Sequence, residues 1–373
     1  MKIALVCNEY PPHPRIGGIG IFTHTLAHAL VDAGHAVTVL GYGGRGGQRD
    51  DGGVRVVTLP ESTMRGAAWL VNRRRLYSWL KQHAKARQID LVELPEYQGL
   101  LPFAFRWCPV VVRLHSASIP AKRSHRLLEQ RALRLHRNWI AVSRHIAEET
   151  KTKYAAEPSR FSVVYNPVRC DEQDEASPPE LPDDYVLFAG TVQEAKGVYV
   201  LAEAARSFLA DYPNLHLVYA GGLKVENGRL ADATIREILG ERFADRVHFT
   251  GLLDHASVLA CMRRARVFAF PSKREAFGLV PAEAMACGVP VVYSRLHAGP
   301  EVIDDGVTGL LADPHSPADV AEKVKRLLDD PGLAARLGEN GKRAARDRFS
   351  TKRCVVDTVT FYETCLSAWE QRT

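Results

Sequence analysis

Glu275 and Glu283 stand eight residues apart in a run over 271–292 that begins Pro-Ser-Lys-Arg-Glu-Ala-Phe-Gly and continues through Pro281 and Gly288 to Pro290. The run reads as a strand end (267–270), a charged loop containing glycine, a short helix and a fresh apolar strand. Pro281 fits a first helical turn, where its missing N–H costs nothing. Gly288 fits the helix stop, and Pro290 blocks continuation. Glu275 then lies in the loop, ahead of a helix N-terminus whose free N–H groups favour an anion. Glu283 lies inside the helix. The pair is expected to bracket a ligand lying across the helix start, one carboxylate at each end. The bland alternative is a solvated charge pair flanking a core helix.

Two glycine-bearing loops offer a complementary chemistry. The first strand runs into residues 8–20, which hold Gly17, Gly18 and Gly20. A later strand ends in Phe188-Ala-Gly-Thr-Val-Gln-Glu-Ala-Lys-Gly197. Glycines between a strand and a helix let backbone N–H groups approach a phosphate or a sugar. Lys196, near the next helix start, can add a point charge, although a lysine there is usually only solvated. A dinucleotide-binding reading fails on two counts. The glycines at 17, 18 and 20 do not follow the required short turn, and the second strand ends Val39-Leu40-Gly41-Tyr42, without the acidic residue that would hold a ribose.

These residues need elements to position them. A chain of 373 residues exceeds one comfortable core and suits two α/β domains. Strand-like runs at 2–7, 37–40, 54–59, 91–94 and 110–114 alternate with helical stretches such as 21–33, as parallel strands with crossover helices do. Residues 41–53, rich in glycine, read as a loop. Alternation breaks in the acidic, proline-rich stretch 166–184 and restarts with strands at 185–189, 216–220, 247–250 and 267–270 and a helix at 198–210. The expected domains are 1–168 and 185–350, joined by a linker over 169–184. Such folds hold ligands at the carboxyl ends of their strands.

Composition narrows the class. With 46% hydrophobic and 25% charged residues the chain is that of a soluble globular protein. No long uncharged apolar run suits a spanning helix, and a charge comes too early in the first nine residues for a secretory leader. Seven cysteines without a CxxC spacing suggest reduced thiols and a cytoplasmic location. Charge is divided unevenly: residues 1–170 hold 25 Lys+Arg against 12 Asp+Glu, and the remainder 24 against 31. The basic stretches 73–87 and 122–137 place Leu, Trp or Tyr at near-helical spacing, as an ordinary solvated helix packed by its apolar stripe does, or as a helix does that meets an anionic acceptor or an anionic membrane surface at the inner face of the membrane. No motif points to nucleic acid.

Together the motifs resemble the retaining glycosyltransferases of family 4. Gly190, Lys196 and Gly197 are similar to that family's phosphate-binding turn. Phe249-Thr-Gly251, Phe270-Pro-Ser272, the Glu275–Glu283 segment, the block 299–311 and the Gly17-Gly18 loop follow along essentially the whole chain. The resemblance implies the GT-B architecture: two Rossmann-like domains with parallel sheets facing across a cleft, and a last helix over 351–373 crossing back to the N-terminal, acceptor-binding domain. It implies a nucleotide-sugar donor, a saccharide, lipid-linked or small-molecule acceptor, retention, no cofactor and no metal. The expected catalytic residues are His115, Glu275 and Lys196. Glu275 would bind donor-sugar hydroxyls and Glu283 the ribose hydroxyls. Lys196, Gly17, Gly18, Gly190 and Thr191 would meet the diphosphate, and Ala276, Phe277, Gly278 and Leu279 would line the sugar or diphosphate. Where the family commonly has an arginine beside this lysine, the chain has Thr191 and Ala195, and Lys273 or Arg274 are the replacement candidates. Acceptor contacts are expected from 9–20, 41–53 and 93–99. The rival readings are a non-catalytic sugar-nucleotide-binding or membrane-docking protein, and another GT-B enzyme such as an epimerase or phosphorylase.

Overall fold

Short aliphatic runs buried on both faces form the strands, as parallel sheets covered by helices require. A computed structural model describes residues 1–12, 18–116, 123–168 and 179–372. Gly17 and residues 169–178 of the expected linker lie outside the described residues. The chain divides into two units, Met1–Pro167 with Thr351–Thr373, and Val168–Ser350.

The first unit carries β1 (Lys2–Val6), α1 (Gly18–Asp32), β2 (Ala36–Tyr42), β3 (Gly47–Asp51), β4 (Val54–Leu59), α2 (Ala68–Lys85), β5 (Leu91–Pro95), β6 (Val110–Leu114), α3 (Arg123–Leu135), β7 (Asn138–Ala141), α4 (Arg144–Tyr154) and β8 (Arg160–Val163). Its sheet runs β3-β4-β2-β1-β5-β6-β7-β8. All neighbours are parallel except β3, which pairs antiparallel with β4, Gly47 opposite Thr58 and Asp51 opposite Val54. Part of the expected 41–53 loop is therefore an edge strand. Its polar sequence hid it, because an edge strand need not present an apolar face to a core.

The second unit holds β9 (Tyr185–Ala189), α5 (Val198–Asp211), β10 (His216–Ala220), the small hairpin β11 (Val225–Glu226) and β12 (Arg229–Leu230), α6 (Ala231–Leu239), β13 (Val247–Gly251), α7 (His255–Arg264), β14 (Val267–Phe270), α8 (Leu279–Cys287), β15 (Val291–Ser294), α9 (Gly299–Val302), β16 (Leu310–Ala312), α10 (Pro317–Asp329) and α11 (Pro331–Phe349). Its main sheet is wholly parallel in the order β13-β10-β9-β14-β15-β16. Strand order reverses beside β9, so β9 and β14 end at a topological switch point, where doubly wound sheets take their ligands.

The last helix, α12 (Thr351–Glu370), packs into the first unit. Cys354, Phe361, Tyr362 and Cys365 join Leu26, Leu30 and Val164 in its apolar core. A buried polar anchor fixes the helix. Arg113 grips both oxygens of Glu93 at 2.8 and 2.9 Å and donates to Thr358 at 3.1 Å, while the Tyr362 hydroxyl donates to Glu93 at 2.6 Å.

The basic stretches are helical, but not uniformly solvated. Arg73 of α2 is buried and donates to the carbonyls of Gly99, Trp69 and Gln98. It staples α2 to the loop after β5 and presents no cation to a surface. Lys81 of the same helix lies 4.9 Å over the Trp107 ring. Among the described residues Cys7, Cys108, Cys261, Cys287, Cys354 and Cys365 are free thiols; Cys170 lies outside them. No described helix is long and apolar enough to cross a membrane.

Candidate active site

In the second unit two chain segments meet at the end of β14. The chain leaves β9 through Gly190 and Thr191 and makes a tight turn over Glu194–Lys196, closed by Gly197 with φ of 76°. A Cβ at Gly197 would stand 1.8 Å from the Pro271 carbonyl oxygen, so only glycine lets this turn lie against the strand end. Two bonds lash the segments together: Lys273 N–H donates to the Ala195 carbonyl at 3.0 Å, and the buried Ser272 hydroxyl donates to the same oxygen at 3.2 Å. The result is a direct ion pair between Lys196 Nζ and Glu275 Oε1, both side chains mostly buried. The ammonium also sits 5.9 Å from the Phe270 ring centre.

The loop then enters α8. Gly278, at φ of 97°, forms the N-cap without a side-chain cap bond. A Cβ there would stand 2.3 Å from the Tyr293 hydroxyl, which itself donates to the Phe277 carbonyl at 3.4 Å. Phe277 turns its ring into the core against Phe349, edge to face at 5.3 Å. Only its backbone is therefore available on the loop, with Gly278 and Leu279 following and Ala276 half-buried before it. The first N–H groups of α8 have no acceptor within the helix, as in any helix, and form a ready anion site next to the Lys196–Glu275 pair.

Glu283 lies one turn into α8, and its carboxylate meets His255 Nε2 at 3.1 Å. His255 opens α7 directly after Asp254, whose side chain caps that helix. Sequence reasoning missed His255. Its only local signal was its place after a capping aspartate. Of the two replacement cations, Lys273 pairs with Glu194 at 3.0 Å, while Arg274 is exposed on the loop. Thr191 is exposed as well.

In the first unit His115 follows β6 directly. Its ring meets Phe22 of α1 edge-on at 4.8 Å. Its backbone N–H donates to Glu96 Oε2 at 3.0 Å, and Ser116 N–H donates to Oε1 at 2.7 Å. Glu96 thus fixes the backbone that carries His115, a role sequence reasoning did not find, because a glutamate after Pro95 gives no local sign of a partner nineteen residues on. Burial, aided by the Arg113 charge, pushes the imidazole down to about 3, so His115 is neutral. Burial pushes the Glu96 carboxyl up to about 7. Gly18 opens α1 and is exposed, and among the described residues no atom beyond its own helix and chain neighbours lies within 4 Å of where its Cβ would be.

The chain matches two family descriptions, "Glycosyltransferase Family 4" over residues 16–172 and "Glycosyl transferases group 1" over 171–344. Its relatives include an uncharacterized glycosyltransferase of Methanocaldococcus jannaschii, 29% identical over 94% of this chain and 95% of the relative. A glycogen synthase of Mycobacterium tuberculosis is 27% identical over 94% and 91%. Among solved structures, a sucrose-phosphate synthase from Thermosynechococcus elongatus superposes with TM-score 0.74 at 22% identity, covering 98% of this chain and 99% of that one. Anabaena HepE in complex with UDP gives 0.75 at 18%, covering 98% and 100%. At these identities the structural likenesses speak to the fold, which is of the GT-B class.

Proposed function

The chain belongs to the family 4 glycosyltransferases of group 1, and on that premise we propose that it is a retaining hexosyltransferase. It moves a hexose from a nucleoside diphosphate sugar to a saccharide, lipid-linked or small-molecule acceptor held by the first unit. The observation that carries this reading is the Lys196–Glu275 pair beside the open start of α8. A cation, a carboxylate and free N–H groups side by side suit a diphosphate joined to a sugar.

Lys196 and Glu275 neutralise each other as an ion pair. A donor exchanges that pair for two better ones, its diphosphate taking Lys196 and its sugar hydroxyls donating to Glu275. Departure of the nucleoside diphosphate builds negative charge on the phosphate oxygens. Lys196 and the first N–H groups of α8, with Gly190 and Thr191 alongside, hold that charge more tightly as it grows, and this difference lowers the barrier. The reading assigns the charge to these protein groups, with no metal in the step. Glu283 accepts from the ribose hydroxyls and releases His255 to solvent. His115, to which the family resemblance gives a catalytic role, is kept uncharged by burial and so would bring a hydrogen-bonding group without a positive charge. The UDP and UDP-glucose named in the HepE complexes support a nucleoside diphosphate sugar as donor.

Thermal unfolding with UDP, GDP, ADP and dTDP tests the donor half. At about a hundredfold excess over Kd the cognate nucleotide stabilises the fold by roughly 2.7 kcal/mol. The reading expects one nucleotide to raise Tm, with a smaller rise in Lys196→Ala and in Glu283→Gln. Equal shifts in both variants and the native chain would contradict it.

A further inference from the structure

The first unit gathers three metal-capable side chains on α1 and β3. His24 and His28 stand four residues apart on α1, one turn apart on one helix face, with ring centres 4.4 Å apart. Asp51 ends β3. Its Oδ2 lies 3.4 Å from His28 Nε2 and 3.8 Å from His24 Nε2. The ligand atoms of the three residues all lie within 4.8 Å of one another. A tetrahedral zinc ion with bonds of about 2.0–2.1 Å sets its ligand atoms roughly 3.3 Å apart, so small side-chain rotations bring these three onto one ion.

The surroundings aim the carboxylate. Arg49 faces the other oxygen, Oδ1, at 3.4 Å and also donates to the Pro11 carbonyl, which leaves Oδ2 turned toward the imidazoles. The Tyr10 hydroxyl donates to Oδ2 at 2.8 Å and lies 3.5 Å from His28 Nε2. Groups that orient a ligating carboxylate in this way are what metal sites use to fix their ligands. The side chains of His24, His28 and Asp51 are 36%, 31% and 28% exposed, so an ion has a path in and a fourth position stays open to water.

We infer that His24, His28 and Asp51 bind one divalent transition-metal ion of the zinc class, with three protein ligands and one open position. Two imidazoles and a single carboxylate suit zinc or cobalt over magnesium, which prefers an all-oxygen octahedron. The ion pins the β3–β4 hairpin to α1 and so orders the 41–53 segment from which acceptor contacts are expected. The inference does not rest on the donor reading.

The whole chain, stripped by a chelator and dialysed, is titrated calorimetrically with Zn2+, and Co2+ binding is followed by visible absorption. The expected result is one Zn2+ per chain, an intense tetrahedral Co2+ spectrum, and no competition from millimolar Mg2+. Affinity should fall at least tenfold in His28→Ala and in Asp51→Asn, and binding should vanish in the double variant His24→Ala/His28→Ala, with circular dichroism confirming that each variant folds. His216 Nδ1 and His248 Nε2, 2.9 Å apart in the second unit, form the rival pair. His248→Ala should therefore leave affinity unchanged. No binding by the native chain, a weak octahedral Co2+ spectrum, equal competition by Mg2+, or loss of binding only in His248→Ala would each overturn the inference. The native-chain spectrum decides even if a variant misfolds.

Discussion

A methyl group at position 197 would press on the Pro271 carbonyl oxygen from 1.8 Å, at a φ of 76° that a side chain resists. That contact sets how near Lys196 comes to Glu275, so the geometry of the proposed donor site depends on a residue with no chemistry of its own. Gly197→Ala is expected to cost more than about 1 kcal/mol of stability. Because small displacements of a positioned group are expensive in rate, it should also lower kcat/KM about tenfold or more. Denaturant titration and initial rates check this, and native turnover in a destabilised variant would break the link drawn between the turn and the lysine. The residue types of the site were legible in the chain: Lys196 ahead of a glycine, Glu275 in a loop and Glu283 in a helix. The contacts that join them were not. Ser272 reaches the Ala195 carbonyl across 77 positions of sequence, and His255 reaches Glu283 across 28. Neither partner leaves a mark near the other in the sequence.

Elements carry the site by their ends. Glu96, just past β5, holds the backbone after β6, and His115 hangs from that connection. The two groups titrate in opposite senses. Burial lifts Glu96 from 4.5 to about 7, so the folded chain holds the extra proton between those values and stability falls as pH rises across them. Burial, then Arg113, lowers His115 from 6.5 to about 3. Here the unfolded chain holds the extra proton, and stability rises with pH through that window. The slopes oppose each other where the windows overlap. Glu96→Gln removes the falling limb. Its stability relative to the native chain should therefore rise between about pH 5 and about pH 7.5, by an amount on the order of 2 kcal/mol. Urea unfolding at both pH values checks it, and a difference independent of pH would contradict the assignment. Elements with an apolar face, such as β5, β6 and α1, could be read from their periodicity. The edge strand β3 could not, since Gly47-Gln-Arg-Asp-Asp51 carries no apolar alternation to mark a strand.

At the scale of the molecule, the chain builds two parallel-sheet units of unequal charge. The excess of Lys and Arg lies in the first 170 residues, and the excess of Asp and Glu in the rest. Part of that basic excess is structural: Arg73 and Arg113 are buried and hold loops and helices in place. Alternation of apolar strands and helices made the architecture readable. The place of α12 in the first unit rests instead on Arg113, Glu93, Thr358 and Tyr362, a network assembled from residues up to 269 positions apart. The central claim is that the second unit grips a sugar nucleotide through Lys196, Glu275, Glu283 and the start of α8. Release of nucleoside diphosphate from labelled donors over an acceptor panel tests it directly, with Glu275→Ala measured beside the native chain. The account predicts turnover of one donor by the native chain, reduced by about a hundredfold or more in Glu275→Ala. Equal turnover by the two chains would contradict it.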